Sequence, residues 1–244
     1  VPLFSTFMGI FQLLVKGISL RACVIQIVGL RYAPAGSFVA LMMPRTRFIF
    51  SINGLGFLFA KDNPKLFYIA LRRAVLSTFS IISRLRQFDI IFQNEDDLKA
   101  ITSFTKLHRA HIHMIRGSGV DIEYNIPQPL PKSKLIVFGI TCRMIKIKGV
   151  QDIIIAFRQL IDDGLPVKLV LAGDIDKANP DSLTNEEILA HCRDGEIEWL
   201  GHIKHITAFW NACDVAILGS HGGEGLPMAL LIPGAMARPI LCSD

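Results

Sequence analysis

Short aliphatic runs alternate with helical patterns along almost the whole chain, and this alternation limits the fold more than any other feature. Residues 23–29, 47–52, 89–93 and 111–115 read as strands, with helices near 34–42, 64–86 and 95–107 between them. The pattern breaks once, at Ile126-Pro127-Gln128-Pro129-Leu130-Pro131-Lys132-Ser133, where three prolines in five positions preclude a regular helix or a central strand. It then restarts, with strands at 135–140, 167–172, 196–200, 214–218 and 239–242 and helices at 149–163, 184–194, 205–212 and 224–236. In helix 149–163, Val150, Ile153, Ile154, Phe157, Leu160 and Ile161 recur on one stripe. Strands that alternate with helices need crossover connections, so the class is α/β with parallel sheets. We divide the chain into a first α/β unit at 1–126, a hinge at 127–134 and a second α/β unit at 135–244. A content of 51% apolar and 19% charged residues over 244 positions is enough to bury a core in each.

Charge is unevenly placed. Residues 1–124 carry 15 Lys and Arg against 7 Asp and Glu, and residues 125–244 carry 11 against 14. The basic first half suits an anionic partner, either a peripheral anionic membrane surface or a lipid-linked phosphate, or else is a solvated face. No nucleic acid is expected, because no recognised binding module is present. Arg72, Arg73, Arg84 and Arg86 fall on the largely apolar helix 64–86, which reads as a membrane-facing surface or as a core helix with snorkelling arginines. Five cysteines without C-x-x-C spacing fit free thiols in a reducing, cytoplasmic setting. No metal or other cofactor is expected. His111 and His113 would lie on one strand face, as a metal pair or as a satisfied surface pair. Phe4, Phe7, Met8, Phe11, Leu14 and Val15 form one helical stripe in an uncharged run shorter than the roughly 20 residues that span a bilayer. The chain has no initiator methionine and stops directly after a strand-like run, which reads as a fragment at both ends.

Chemistry concentrates at strand ends. Ser220-His221-Gly222-Gly223-Glu224-Gly225-Leu226-Pro227 puts three glycines and a carboxylate between a strand and a helix, where free N–H groups and bare backbone can meet a phosphate or a hydroxyl. The alternative is a tight loop with a first-turn carboxylate. Thr141-Cys142-Arg143-Met144-Ile145-Lys146-Ile147-Lys148-Gly149 places several cations before the next helix, a setting for a diphosphate. Ala172-Gly173-Asp174 is a glycine turn after a strand. Asn94 reads as an N-cap ahead of an acidic first turn.

Glu224 to Leu231, continued through Arg238-Pro239-Ile240, resembles the donor-site signature of family 4 retaining glycosyltransferases, E-G-L-P-x-x-L-L-E-A-x-A-x-G-R-P-I. Other stretches are similar to that family in the same order. Thr141 to Val150 looks like A-R-L-x-x-D-K-G-V, Trp199-Leu200-Gly201-His202-Ile203 like Y-L-G-H-V, and Phe92 to Leu98 like F-Q-N-x-D-D-L. Ser51 to Phe59 looks like A-L-T-G-L-G-Y-L-F, and Gly117 to Asp121 like G-S-G-V-D. The resemblance implies a GT-B fold of two Rossmann-like units, both incomplete, with the active site in the cleft between them. It also implies an enzyme of bacterial envelope polysaccharide synthesis at the inner face of the cell membrane, acting on a nucleotide-sugar donor and a lipid-linked saccharide acceptor. It assigns Glu224 to catalysis, Arg143 and Lys148 to the donor diphosphate, and Gly173, His202, Ile203, Gly222, Gly223, Gly225 and Leu226 to the donor. It assigns Gln26, Gly54 and Gly56 to the acceptor side. Two departures matter. Ile232 stands where the family's second glutamate binds the donor ribose, and Gln26 where a histidine is common. Neither can do the usual residue's chemistry. A nucleotide-sugar-binding protein without turnover, a related nucleotide-sugar epimerase and a non-functional fragment are the alternatives.

Overall fold

The computed structural model describes residues 3–55, 66–117, 119–130, 133–177, 179, 181–192, 195–221 and 226–243. The chain divides into two compact units, Val1–Ser118 with Gly223–Leu226, and Gly119–Gly222 with Pro227–Asp244.

In the first unit, α1 (Leu3–Ser19), β1 (Val24–Val28), α2 (Ala33–Met42), β2 (Arg47–Ile52), α3 (Leu66–Leu85), β3 (Phe88–Phe92), α4 (Glu95–Phe104) and β4 (Ala110–Met114) follow one another. The strands are parallel and lie in chain order, β1-β2-β3-β4. Right-handed crossovers that all step the same way put their helices on one face of a sheet. One core forms there, from Ile25 and Ile27 of β1, Phe48 and Phe50 of β2, Ile90 of β3, Val39 of α2, Val75, Phe79 and Ile82 of α3 and Ile101 of α4. Phe50 sits edge-on to Phe79 and Phe88 at centroid distances of 5.4 and 5.3 Å. The alternate residues Val24, Gln26 and Val28 face the other way and are exposed. From α1, Leu13 and Leu14 pack on the core, whereas Phe11 and Val15 of the expected stripe are exposed. Among the described residues no helix is long and apolar enough to cross a membrane.

Two polar networks secure this sheet. Arg86, just past α3, donates to the Ala40 carbonyl, to Met43 O at 3.1 Å and to Thr46 O at 2.6 Å, so it caps the end of α2. Burial lowers its pKa from the ordinary guanidinium value. Arg86 therefore separates from Arg72, Arg73 and Arg84, with which the sequence grouped it. Asp89 is buried and accepts from Arg47 Nε at 2.7 Å and Arg47 Nη2 at 3.0 Å, with His113 Nε2 at 2.8 Å and His111 Nδ1 at 3.9 Å. The histidines thus share one carboxylate on the sheet face. The Arg47 bond, ahead of the opposing cost of burial, holds the Asp89 carboxyl down at about 2. A depressed carboxylate pKa adds stability that is complete above the ordinary value near 4 and is lost as pH falls towards about 2. With Arg47 largely exposed, we expect that loss to be about 1 kcal/mol, read as a fall in urea midpoint between pH 4 and pH 2 that Asp89→Asn abolishes.

The second unit runs β5 (Ile136–Thr141), α5 (Val150–Asp162), β6 (Val167–Ala172), α6 (Asn185–Leu189), β7 (Ile197–Trp199), α7 (Ile206–Asn211), β8 (Val215–Leu218), α8 (Met228–Ala235) and β9 (Ile240–Cys242). Its parallel sheet has the order β7-β6-β5-β8-β9. The chain winds outwards through β6 and β7, returns by α7 to the far side of β5, and continues to β9. That reversal buries both faces. On one, Ile140, Leu169, Leu171 and Ile217 pack with Ile154 and Phe157 of α5 and Ile188 of α6. On the other, Val170 and Ala216 pack with Phe209 and Trp210 of α7 and with Met236.

Most elements fall within two residues of their expected bounds. The exceptions are helices. Thr184 and Glu187 start α6 with a reciprocal capping box, but the expected run to 194 ends at Leu189 because His191 and Cys192 bond three residues back and tighten into turns. α4 ends three residues early, where Thr105 turns extended. For helix 224–236, the described part begins at Met228 after Pro227.

Candidate donor site at the strand ends of the second sheet

In an open α/β sheet, ligands bind beyond the carboxyl ends of the strands, where the strand order reverses. Here the reversal lies between β5 and β8. The segments that leave these two strands are locked together. His221 N donates to Ile147 O at 2.9 Å and Ser220 Oγ donates to the same oxygen at 3.4 Å. His221 Nε2 lies 2.8 Å from Asp152 Oδ2, in the first turn of α5. Gly149 takes the left-handed conformation, φ 64°, and packs its α-carbon face against Gly219, where an added Cβ would stand 1.9 Å from Gly219 O. Among the described residues, the close-packed glycine pair of this corner is Gly149 with Gly219. Gly222, Gly223, Gly225 and Glu224, expected at the same corner, lie outside the described residues, as does Gly56.

A cavity of about 460 Å³ opens beside this corner, over the ends of β5, β6 and β7. Arg143, Gly173, Asp174, Asp176, His202 and Ile203 are among its lining residues. Three motifs remote in sequence converge here because their strands are neighbours. Gly173 N donates to Gly201 O at 2.7 Å, and Trp199 Nε1 donates to Gly173 O at 2.9 Å. Gly173 has φ 140°, and a Cβ on it would lie 1.8 Å from Cys142 O, so only glycine lets these two turns meet. His202 Nδ1 is 3.4 Å from Asp174 Oδ2, both side chains being exposed.

Arg143 reaches across the cavity to Asp176, Nη1 to Oδ2 2.7 Å. Asp176 is the participant that sequence reasoning missed, since nothing local marks an aspartate 33 residues from its arginine. Its backbone N–H donates to Ser182 Oγ at 3.0 Å, and the same hydroxyl donates to Met144 O at 3.2 Å, which ties the turn carrying Asp176 to the segment that leaves β5. Arg143 is largely exposed, and such pairs are worth about 0 to 1 kcal/mol, so a ligand with several anionic oxygens can displace Asp176 at small cost. Lys148 lies in the 3-10 turn Lys146–Lys148, next to the carbonyl that anchors His221, and does not line the cavity.

The other expected site residues are dispersed. Gln26 donates from Nε2 to Ser51 Oγ at 2.7 Å on the exposed face of the first sheet. Gly54 follows β2 with φ 116°. Leu226 is exposed and groups with the first unit. Ile232 is partly buried against the α7 and α8 core. A further cavity of about 480 Å³, lined largely by apolar residues including Val137, Val170 and Phe209, shares only Ile203 with the expected site.

Comparison with known proteins fits this geometry. Residues 135–244 match the family model of group 1 glycosyl transferases. The model covers the second unit's sheet and all of its helices. No curated protein matches the chain. Among solved structures, Anabaena HepE in complex with UDP-glucose superposes with a TM-score of 0.73 at 14% identity, covering 96% of this chain and 62% of that one. A glycosyltransferase from Rickettsia africae gives 0.67 at 16% identity, covering 100% and 63%. The α,α-trehalose 6-phosphate synthase of Burkholderia multivorans gives 0.70 at 13% identity, covering 97% and 60%. The fold is GT-B, as expected, and the chain spans about three fifths of the length of these structures.

Proposed function

We propose that this chain is part of a retaining glycosyltransferase of family 4. The enzyme moves a sugar from a nucleotide-sugar donor to a lipid-linked or saccharide acceptor in envelope polysaccharide synthesis, at the cytoplasmic face of the membrane. The observation that carries the donor half is the cavity over the ends of β5, β6 and β7, where Arg143, Gly173, His202 and Ile203 come together within the residues that match the glycosyl transferase model. HepE was solved with UDP and with UDP-glucose, which supports a nucleotide sugar as the ligand.

In this reading the diphosphate takes Arg143 from Asp176, and Lys148 approaches from the 3-10 turn. Charge builds on the departing nucleoside diphosphate as the glycosidic bond breaks. Preorganised cations and helix N–H groups stabilise that charge without reorganising. Gly173 lets backbone stand against the nucleotide, and Glu224 orients the donor sugar or its leaving group. Retention of configuration, the lipid-linked acceptor and the envelope role rest on the motif resemblance. The basic first unit supports an anionic acceptor or surface.

A second reading, donor binding without turnover, is favoured by Ile232. Its hydrocarbon side chain packs against the core that includes Phe209 and Met236 and has no acceptor for a ribose hydroxyl.

Calorimetry with UDP, GDP and ADP tests the donor site. We expect one diphosphate to bind in the micromolar range and Arg143→Ala to weaken it at least tenfold, the loss of one charge-assisted contact of about 1.5 to 3 kcal/mol. Asp176→Asn, which removes the competing carboxylate, should bind as tightly as the parent or more so. A folded chain that binds none of the three overturns the donor site and leaves a likeness of fold alone.

A further inference from the structure

Among the described residues, nothing covers the outer side of the helices of the first unit. α2 packs against both α1 and α3, and residues of all three reach the sheet's core. α2 reads Ala33-Pro34-Ala35-Gly36-Ser37-Phe38-Val39-Ala40-Leu41-Met42 and carries no charged residue. A helix that is apolar all round is ordinarily buried all round. This one buries Ala33, Gly36, Val39 and Ala40 on the sheet side, while its opposite side holds Phe38, Leu41 and Met42 in the open, with Phe38 52% and Met42 61% exposed. Both neighbours repeat the pattern. Phe11, Val15 and Ile18 recur at helical spacing on α1, as do Ile81 and Leu85 on α3, and all five are exposed. Large apolar side chains exposed on three adjacent helices mark an interaction surface.

Charge identifies the partner. α1, α2 and α3 contain no aspartate or glutamate, and their only charged residues are Lys16, Arg72, Arg73 and Arg84. On α3, cations and apolar residues share one strip. Arg73 and Ser77 are i and i+4, Ser77 and Ile81 are i and i+4, and Ile81 precedes Arg84 by three positions and Leu85 by four, so each is a surface neighbour of the next. All are exposed, as is Lys16 beside Val15 on α1. A two-fold contact between copies made by this face would bring like charges together, with no carboxylate on these helices to answer them. An apolar strip edged by cations is instead the composition of helices that lie in the interface of an anionic bilayer, their apolar side chains below the headgroups and their Lys and Arg among them.

We propose that the outer face of α1, α2 and α3 binds an anionic lipid bilayer, with Phe38, Leu41 and Met42 inserted below the headgroups and Arg73 and Arg84 lying among them. Insertion removes apolar surface from water and sets the depth, while the cations add an attraction that depends on lipid charge and is screened by salt. This gives a surface to the membrane location in the proposed function and rests on that part of the reading alone. The donor cavity of the second unit has no role in it.

Flotation of the full chain with phosphatidylcholine vesicles, with and without about 30 mol% phosphatidylglycerol, tests the surface. We expect partitioning about tenfold stronger onto the anionic vesicles, and a loss of about tenfold in F38S/M42S and again in R73E/R84E. Both pairs are exposed, so the urea midpoints of these variants should stay with the parent's. F38W reads the depth directly. Its fluorescence should be quenched by lipids brominated on the acyl chain, whereas that of the parent, from Trp199 and Trp210 of the second unit, should not. Vesicle binding equal in the parent and both variants overturns the proposal. So does binding lost in R73E/R84E but kept in F38S/M42S, which is adsorption by charge without insertion. Self-association that F38S/M42S abolishes, in a chain that ignores vesicles, also overturns it and makes the face a protein contact. Calorimetry with UDP on the same samples separates this surface from the enzyme reading. Vesicle binding without UDP binding keeps the surface and removes the donor site, and UDP binding without vesicle binding overturns the surface alone.

Discussion

Gly149→Ala is expected to destabilise the second unit by about 4 kcal/mol, and Gly164→Ala, at a similar backbone angle, by about 1 kcal/mol. Both glycines have positive φ, 64° and 79°, so each alanine carries the same kind of left-handed strain. Their surroundings differ. Around Gly164 an added Cβ meets nothing within 4 Å, whereas on Gly149 it would stand 1.9 Å from the Gly219 oxygen and 2.8 Å from its carbonyl carbon. Neither side can yield cheaply. Gly149 starts α5 and its N–H donates to Lys146 O at 2.9 Å, while Gly219 is followed by Ser220 and His221, both bonded to Ile147 O. Gly219 has no room behind it, because its own α-carbon face lies against Ile153. Urea denaturation of the two variants measures the difference. A loss of 4 kcal/mol is a large part of the roughly 5 to 15 kcal/mol that stabilises a domain, so the first variant should unfold at low urea. Equal midpoints for the two variants would show that strain alone matters and that the β5 and β8 turns are not locked.

Asp97→Asn should raise stability at pH 7.5 by about 2 kcal/mol and flatten the pH profile between 4 and 6. Asp97 stands in the first turn of α4, and its backbone N–H donates to Asn94 Oδ1 at 2.7 Å, completing the N-cap expected from the sequence. Its carboxyl is buried, and desolvation, ahead of the Asn94 hydrogen bond that opposes it and the Asp96 charge that adds to it, pushes the pKa up to about 6. A raised carboxylate pKa means that the folded state prefers the neutral acid. Its contribution is complete below the ordinary value near 4 and is lost as pH climbs through about 6. Asparagine keeps an oxygen that can accept from Asn94 Nδ2, now 3.2 Å from Asp97 Oδ2, without the ionisation. The Asp89 window lies below pH 4 and the Asp97 window above it, so one series of urea midpoints from pH 2 to 7.5 resolves both. If the parent profile between pH 4 and 6 is already flat, Asp97 is solvated and the expected gain disappears.

The β-strands were legible because their aliphatic runs are short and bounded by turn residues, and α5 because its six apolar positions repeat with helical period. The Asn94 cap was legible for the same local reason. Helix ends were less so, since a capping box starts α6 but tertiary packing decides how far it continues. Of the candidate site, the corners at Arg143, Gly173 and His202 could be read from motif order, while Glu224 and Gly56 lie outside the described residues. Asp176, Gly219 and Asp152 gave no local signal, because each acts through a partner on another strand or turn.

By itself the sequence determined which segments are strands and helices, that they come in two α/β series, and where glycines and cations fall at strand ends. These follow from periodicity and turn chemistry, which act over a few residues. Strand order was decided only by tertiary structure, because it depends on which edge each crossover joins. That order puts β5 between β6 and β8, makes the switch point, and brings Arg143 to Asp176 and Gly149 to Gly219. Desolvation was likewise invisible in the sequence. Asp89 and Asp97 are both buried aspartates, and their pKa values part in opposite directions because only Asp89 has an arginine within reach.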